Sequence, residues 1–208
     1  MQIISHRGFW KTEAEKNKIE AFQRAKEHNF GVETDFRDCM DMLVVSHDPA
    51  GEDCFAADSF FQLYEGTEHI LALNIKADGI SRVLKEQLEK YHIQNYFCFD
   101  MSVPETLKYI CCGLDFFTRE SEYEPQPVFL EEAKGIWMDG FQLDDWITQD
   151  RIERYLDAGK YVCIVSSELH GRDYQKAWER YSGMTCVNSD RVLLCTDYPA
   201  EAGRFFHE

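Results

Sequence analysis

Eight short runs of β-branched and apolar residues recur along this chain, each followed by a stretch of helix-forming composition, and that alternation limits the fold more than any other feature. The runs are residues 2–5, 31–37 with an extension at 43–47, 70–76, 96–101, 116–119, 135–138, 161–166 and 192–196. Helices are expected to begin near Ile19, Ser59, Ser81, Pro104, Val128, Thr148, Asp173 and Pro199, several with Ser, Thr, Asp or Pro at the entry. The clearest is 81–91, where Val83, Leu84, Leu88 and Tyr91 form a helical stripe and Ser81 can cap the start. Gly159 closes the sixth helix. Strand–helix repetition of this kind builds a parallel sheet, and eight units predict an α/β chain folded as a (β/α)8 TIM barrel. With 208 residues there are about 26 per unit, a barrel near the lower size limit. The rival doubly wound sheet uses five or six strands and a Gly-rich first turn; neither GxGxxG nor GxxxxGK[ST] is present.

Length predicts one compact domain spanning residues 1–208, with no linker, repeat or low-complexity stretch to divide it, and the polar stretch 120–126 as a rim loop. No apolar run approaches the ~20 residues that span a bilayer. The chain enters its first strand pattern at once, without the basic segment and apolar run of a secretory signal, so a cytoplasmic location is expected. Eight cysteines at irregular spacings, with no CxxC or Cys/His zinc pattern, read as reduced thiols. A formal charge of −16 argues against nucleic acid or an anionic membrane as partner, since both are bound by dense Lys/Arg surfaces. It leaves a phosphate-bearing small molecule open, because a metal ion and a few local cations reverse the potential inside a pocket.

The residues that carry chemistry sit at the carboxyl ends of the first strands, where a barrel places its active site. The first strand ends in His6-Arg7-Gly8, the second carries Glu33-Thr34-Asp35, its extension ends in Ser46-His47-Asp48, and the third ends in Asn74-Ile75-Lys76. Strand alternation puts Glu33 and Asp35 on one face, where two carboxylates repel unless a cation compensates. An oxygen-binding divalent metal meets that need, with Asn74 able to add an amide oxygen and Lys76 an ammonium for a phosphate oxygen. Taken singly, an ExD pair reads as a solvated strand edge and a strand-end histidine as hydrogen-bonded scenery; the four strand ends together favour a site. His28, His69, His92 and His207 fall at helix ends or in loops.

These motifs, His6-Arg7-Gly8, Asn17, Ala21-Phe22, Glu33-Thr34-Asp35 and Ser46-His47-Asp48, resemble the glycerophosphodiester phosphodiesterase family, in which HRG opens the chain and ExD precedes a downstream HD. The likeness is specific over residues 1–48, continues more weakly through Ile75-Lys76 and Thr196-Asp197, and elsewhere rests on strand order. It implies hydrolysis of a small phosphodiester, with His6 and His47 as general base and acid, Glu33 and Asp35 as ligands of Ca²⁺ or Mg²⁺, and Arg7 and Lys76 on the phosphate.

Two positions depart from the family pattern: Lys16 stands where Glu is usual, and Asn74 where Glu is usual. The neutral Asn74 lowers the negative charge of the cation site, and Asp100, Asp139 or Glu168 could compensate, or each could cap the next helix. Asp139 is placed ahead as a metal-site residue, having the apolar strand 135–138 behind it and a glycine after. Arg119 is a candidate for substrate binding, with a salt bridge to Glu120 or Glu122 as the alternative. Phe9, Trp10, Trp137 and Phe141 could line a pocket. Two other readings stay open: a barrel that binds a phosphodiester without turning it over, and a different metal-assisted hydrolase, which would carry a His-x-His pair or a modified lysine at its strand ends.

Overall fold

The computed structural model describes residues 1–40, 42–51 and 54–207. In chain order the elements are β1 (Gln2–His6), α1 (Ile19–Glu27), β2 (Gly31–Cys39), β3 (Met42–Val45), β4 (Phe55–Ala56), α2 (Ala57–Tyr64), β5 (Leu71–Ile75), α3 (Ser81–Lys90), β6 (Tyr96–Phe99), α4 (Val103–Cys112), β7 (Phe117–Glu120), β8 (Gly135–Met138), α5 (Gln149–Asp157), β9 (Tyr161–Val165), α6 (Gln175–Ser182), β10 (Val192–Thr196) and α7 (Pro199–His207). All eight expected strand runs are occupied. The chain divides into two compact units, one of residues 6–116 and one of residues 1–5 with 117–208, so that β1 crosses from one to the other at Ser5–His6.

In the unit of residues 6–116, β2, β5 and β6 run parallel, with Asp35 level with Asn74 and Asn74 level with Phe99. Strand alternation sends Phe36 to the face opposite Glu33 and Asp35. There it stacks on Phe61 at 5.2 Å and meets Phe60 edge-on at 5.7 Å. Phe22 of α1 closes on Phe60 at 4.9 Å. These rings are all fully buried and fasten α1 and α2 to the sheet; burying each contributes about 1.5–3 kcal/mol.

Three expectations change here. The run 43–47 is not an extension of β2 but a separate strand that turns back antiparallel to it, through a reversal at Met40, whose φ is 53°. Ser81 does not cap α3: the N-cap is Ile80, without a side-chain hydrogen bond, and Ser81 is a buried first-turn residue. No helix follows β7 at Val128. Residues 128–132 form turns, with Phe129 in left-handed backbone at φ 57°, and Pro125 and Pro127 just upstream disfavour helical backbone in the residues before them.

In the other unit, β7, β8, β9, β10 and residues 2–5 of β1 form a wholly parallel sheet in that order. Gly135 has no room for a side chain, since a Cβ there would meet the Phe117 ring at 2.6 Å and the Tyr161 carbonyl oxygen at 2.7 Å. Gly159, at φ 78°, ends α5 in the left-handed backbone that glycine adopts at least cost. All eight cysteines are free, and among the described residues no helix is long and apolar enough to cross a membrane.

Candidate active site

The His6-Arg7-Gly8 motif is an interlocked turn. Arg7 and Gly8 both take left-handed backbone, at φ 56° and 86°. A Cβ on Gly8 would stand 2.8 Å from the Ala21 Cβ and 2.9 Å from the Ala21 carbonyl carbon. The Phe9 amide donates to the Ala21 carbonyl at 3.0 Å, and the Asn17 amide to the Arg7 carbonyl at 3.0 Å. The spaced motif of Gly8, Asn17 and Ala21-Phe22 is therefore one contact surface, in which the glycine exists so that α1 can press against the turn carrying His6 and Arg7.

That turn lies over the two carboxylates of β2. The Arg7 amide donates to Glu33 Oε2 at 3.1 Å, and the Arg7 guanidinium Nε lies 3.2 Å from Asp35 Oδ2 as an ion pair without hydrogen-bond alignment. Asn17 donates its side-chain amide to Asp35 Oδ2 at 2.8 Å and accepts from the Thr34 hydroxyl at 2.9 Å. His6 Nε2 stands 3.9 Å from Glu33 Oε2. From β5, Lys76 places its ammonium 3.5 Å from Asp35 Oδ1 and 3.8 Å from Asp100 Oδ2. Of the three acids that could compensate for Asn74, Asp100 is thus the one beside Lys76, held by left-handed backbone at φ 69°.

Burial sets the electrostatics. Glu33 and Asp35 are 1% and 0% exposed. Loss of water, reinforced by the Asp35 charge, pushes the Glu33 carboxyl up to about 7, while His6, Arg7 and Lys76 pull the other way. Asp35 Oδ1 and Asn74 Oδ1 are both buried acceptors without a hydrogen-bond donor, and they belong to residues level with each other on adjacent strands.

The hairpin of β2 and β3 turns the chain back along β2 before His47. The Ser46 amide donates to the Asp35 carbonyl at 3.0 Å, so His47, one residue on, falls level with Thr34. Its ring is exposed and pairs through Nδ1 with Asp48 Oδ1 at 2.9 Å, and its carbonyl accepts from Arg37 at 3.2 Å. Lys16, at the first departure from the family pattern, pairs with Glu13 at 2.9 Å and lies over the Trp10 ring at 4.4 Å; Trp10 in turn donates to the His6 carbonyl at 3.2 Å. Phe9 packs against His28 and Phe30.

The remaining candidates lie in the unit that contains 117–208. Asp139, nearly buried, pairs through Oδ1 with His170 Nε2 at 2.6 Å. Arg119 pairs with Glu124 at 3.3 Å and stacks on Phe141. Glu120 is fully buried and held by Arg151 and Tyr155. Burial raises the Glu168 carboxyl, against hydrogen bonds from Ser166, Thr196 and the Asp197 amide. Trp137 is buried. Among the described residues no three His, Cys, Asp or Glu side chains are grouped to hold a metal. Sequence reasoning misses His170; its one signal is its place four residues beyond the apolar run that ends at Ser166.

No family model matches the sequence, and no curated protein matches it. Solved structures do. A glycerophosphodiester phosphodiesterase from Parabacteroides distasonis superposes with a TM-score of 0.73 at 16% identity, covering 99% of this chain and 96% of that one. One from Agrobacterium tumefaciens gives 0.71 at 16% identity, covering 99% and 98%. A mutant tryptophan synthase α-subunit from Pyrococcus furiosus gives 0.58 at 9% identity, covering 99% and 94%. The phosphodiesterases are TIM barrels, and the (β/α)8 TIM-barrel class expected from the strand–helix alternation is the fold of this chain. Because a tryptophan synthase subunit superposes as well, fold alone does not name a reaction; the side chains must.

Proposed function

We propose that this chain is a phosphodiesterase of the glycerophosphodiester phosphodiesterase kind, hydrolysing a small phosphodiester in the cytoplasm with the help of Ca²⁺ or Mg²⁺. The observation that carries the reading is the convergence on β2: two buried carboxylates, a histidine, an arginine and a lysine drawn together from Glu33, Asp35, His6, Arg7 and Lys76. Superposition on two enzymes of that kind over nearly the whole chain supports it. Eight free cysteines suit a reducing compartment.

The donor set suits a hard divalent cation. Glu33, Asp35 and Asn74 offer oxygen ligands, two of those oxygens are buried without a donor, and the Glu33 carboxyl is raised by loss of water and by the Asp35 charge beside it. These three residues would hold the ion, which when bound supplies Lewis-acid polarisation of the phosphoryl oxygens. Asp139 is engaged by His170 in the other unit and is not assigned to this shell.

His6 acts as general base and His47 as general acid. A substrate hydroxyl next to the ester loses its proton to His6 as its oxygen attacks phosphorus. The bond from phosphorus to the departing alcohol breaks, and His47 protonates that oxygen. Water then opens the cyclic phosphate, with the proton transfers reversed. Glu33, beside His6, and Asp48, on His47 Nδ1, orient the two rings. Arg7 and Lys76 neutralise charge building on the phosphoryl oxygens.

A glycerophosphodiester panel assayed with and without Ca²⁺ or Mg²⁺ tests this. Divalent-dependent release of an alcohol is expected, falling by roughly 10²–10⁴ in His6→Ala and in His47→Ala with folding unchanged. Full turnover in both variants would reject the mechanism. A second reading has one observation in its favour: Arg7 and Lys76 already face Asp35, and Asn74 is neutral, so the barrel could bind a phosphodiester without a cation or turnover. Calorimetry showing diester binding but no Ca²⁺ or Mg²⁺ binding would select it.

A further inference from the structure

Asp100 takes no part in the proton transfers above, yet its backbone turns to bring its carboxylate to the same group, within the unit of residues 6–116. It follows β6, whose last residue, Phe99, lies level with Asn74 of β5 and is buried. Continued strand alternation would send the next side chain to the opposite face. Asp100 instead takes left-handed backbone, at φ 69°, and its Oδ2 comes to 3.8 Å from the Lys76 ammonium. Only aspartate and asparagine, besides glycine, visit that conformation readily, and such departures gather where function requires a side chain to be re-aimed. Helix capping does not account for it: α4 is capped by Ser102, whose hydroxyl oxygen accepts from the Glu105 amide at 3.3 Å.

Asp35 supplies the second observation. Its Oδ2 is engaged by the Asn17 amide at 2.8 Å and by the Arg7 guanidinium at 3.2 Å. Its Oδ1 is buried without a hydrogen-bond donor, although the Lys76 ammonium stands 3.5 Å away. A charge-assisted bond between ammonium and carboxylate closes to about 2.7–2.9 Å, and the flexible four-carbon stem of a lysine can cover the difference. A buried carboxylate oxygen left without a donor is unfavourable. The Asp100 carboxylate provides the competing attraction on the same ammonium that opposes closure onto Asp35.

We propose that Asp100 is a positioning residue: by sharing the Lys76 ammonium with Asp35, it keeps Asp35 Oδ1, and with it the Asn74 Oδ1 of the level residue, available to a divalent cation. That a cation belongs there rests on the phosphodiesterase reading; that Asp100 restrains Lys76 does not. Asn74 brings no charge of its own, so a lysine closed onto Asp35 would leave the cation with little beyond Glu33 to balance it, and the restraint matters more in this chain than in one with a third carboxylate.

Asp100→Asn removes the charge while keeping a residue that accepts left-handed backbone. Lysine side-chain nitrogen NMR on the Ca²⁺-free protein, with Lys76→Met identifying the resonance, reads the ammonium itself. In Asp100→Asn its protons should exchange with water severalfold more slowly, as the bond to Asp35 closes. Calorimetry should show Ca²⁺ binding to Asp100→Asn about tenfold weaker than to the wild type. Adding Lys76→Met to Asp100→Asn should return the affinity to the wild-type value or above. Proton exchange that Asp100→Asn leaves unchanged would overturn the proposal, and so would Ca²⁺ binding unaffected by that substitution. Binding that stays equally weak when Lys76→Met is added would also overturn it, since Asp100 would then act on the ion and not through the lysine. A wild type that binds no Ca²⁺, while Lys76 exchange still slows in the variant, would remove the cation from the phosphodiesterase reading and leave the restraint of Lys76 in place.

Discussion

Glu33 gives the site a measurable signature in stability. Its carboxyl is raised from 4.5 to about 7 by burial, with the Asp35 charge adding to the effect. The native state therefore holds this proton more tightly than the unfolded chain does. Between pH 4.5 and 7 the unfolded chain has released it and the native state has not, so stability falls as pH rises through that window. A tenfold difference in proton affinity between the two states is worth about 1.4 kcal/mol, so the fall attributable to Glu33 is on the order of 3 kcal/mol. Glu33→Gln removes the titration while keeping an oxygen able to accept from the Arg7 amide, now 3.1 Å away. Urea unfolding of both proteins, in chelator and at steps from about pH 4.5 to 8, isolates the effect as the difference between them. The wild type should lose about 3 kcal/mol relative to the variant across the range, and Ca²⁺ at about pH 8 should restore stability to the wild type only. A difference that stays flat, or that moves in favour of the wild type with rising pH, would refute the assignment of a buried, proton-holding carboxylate.

Two further changes test the parts around it. Gly8→Ala forces a side chain onto left-handed backbone and into Ala21, costing about 2–4 kcal/mol, and thermal unfolding should move down by roughly 10 °C. An unchanged midpoint would mean that α1 does not press on the His6-Arg7 turn. Asn74→Glu places a third carboxylate level with Asp35, and calorimetry should show Ca²⁺ binding about tenfold tighter than in the wild type. Weaker or equal binding would separate Asn74 from any cation shell.

Much of this protein is written locally and is therefore legible along the chain. Every strand run is a period-two or wholly apolar stretch, because burial on a sheet imposes that pattern on neighbours in sequence. Seven helices start within about two residues of where entry residues and apolar stripes place them, an offset usual for helix ends. The exception, at Val128, is a stretch where nearby prolines outweigh composition. The residues that meet at β2 can be named because strand ends carry them and because their spacing resembles a family.

Other features belong to tertiary structure alone. The reversal at Met40 decides that His47 returns to the level of Thr34 instead of running beyond Asp35, and a few residues of turn geometry make that difference. The close approach of α1 explains Gly8, which reads in sequence only as part of a motif. The pairing of Lys76 with Asp100, and of Asp139 with His170 across 31 residues, depends on which strand ends are neighbours in space. Periodicity reports what each residue faces, core or solvent; it carries no record of which distant side chain faces it back. Charge partners, and the raised Glu33 carboxyl that follows from its burial, are set only when the strands have taken their register.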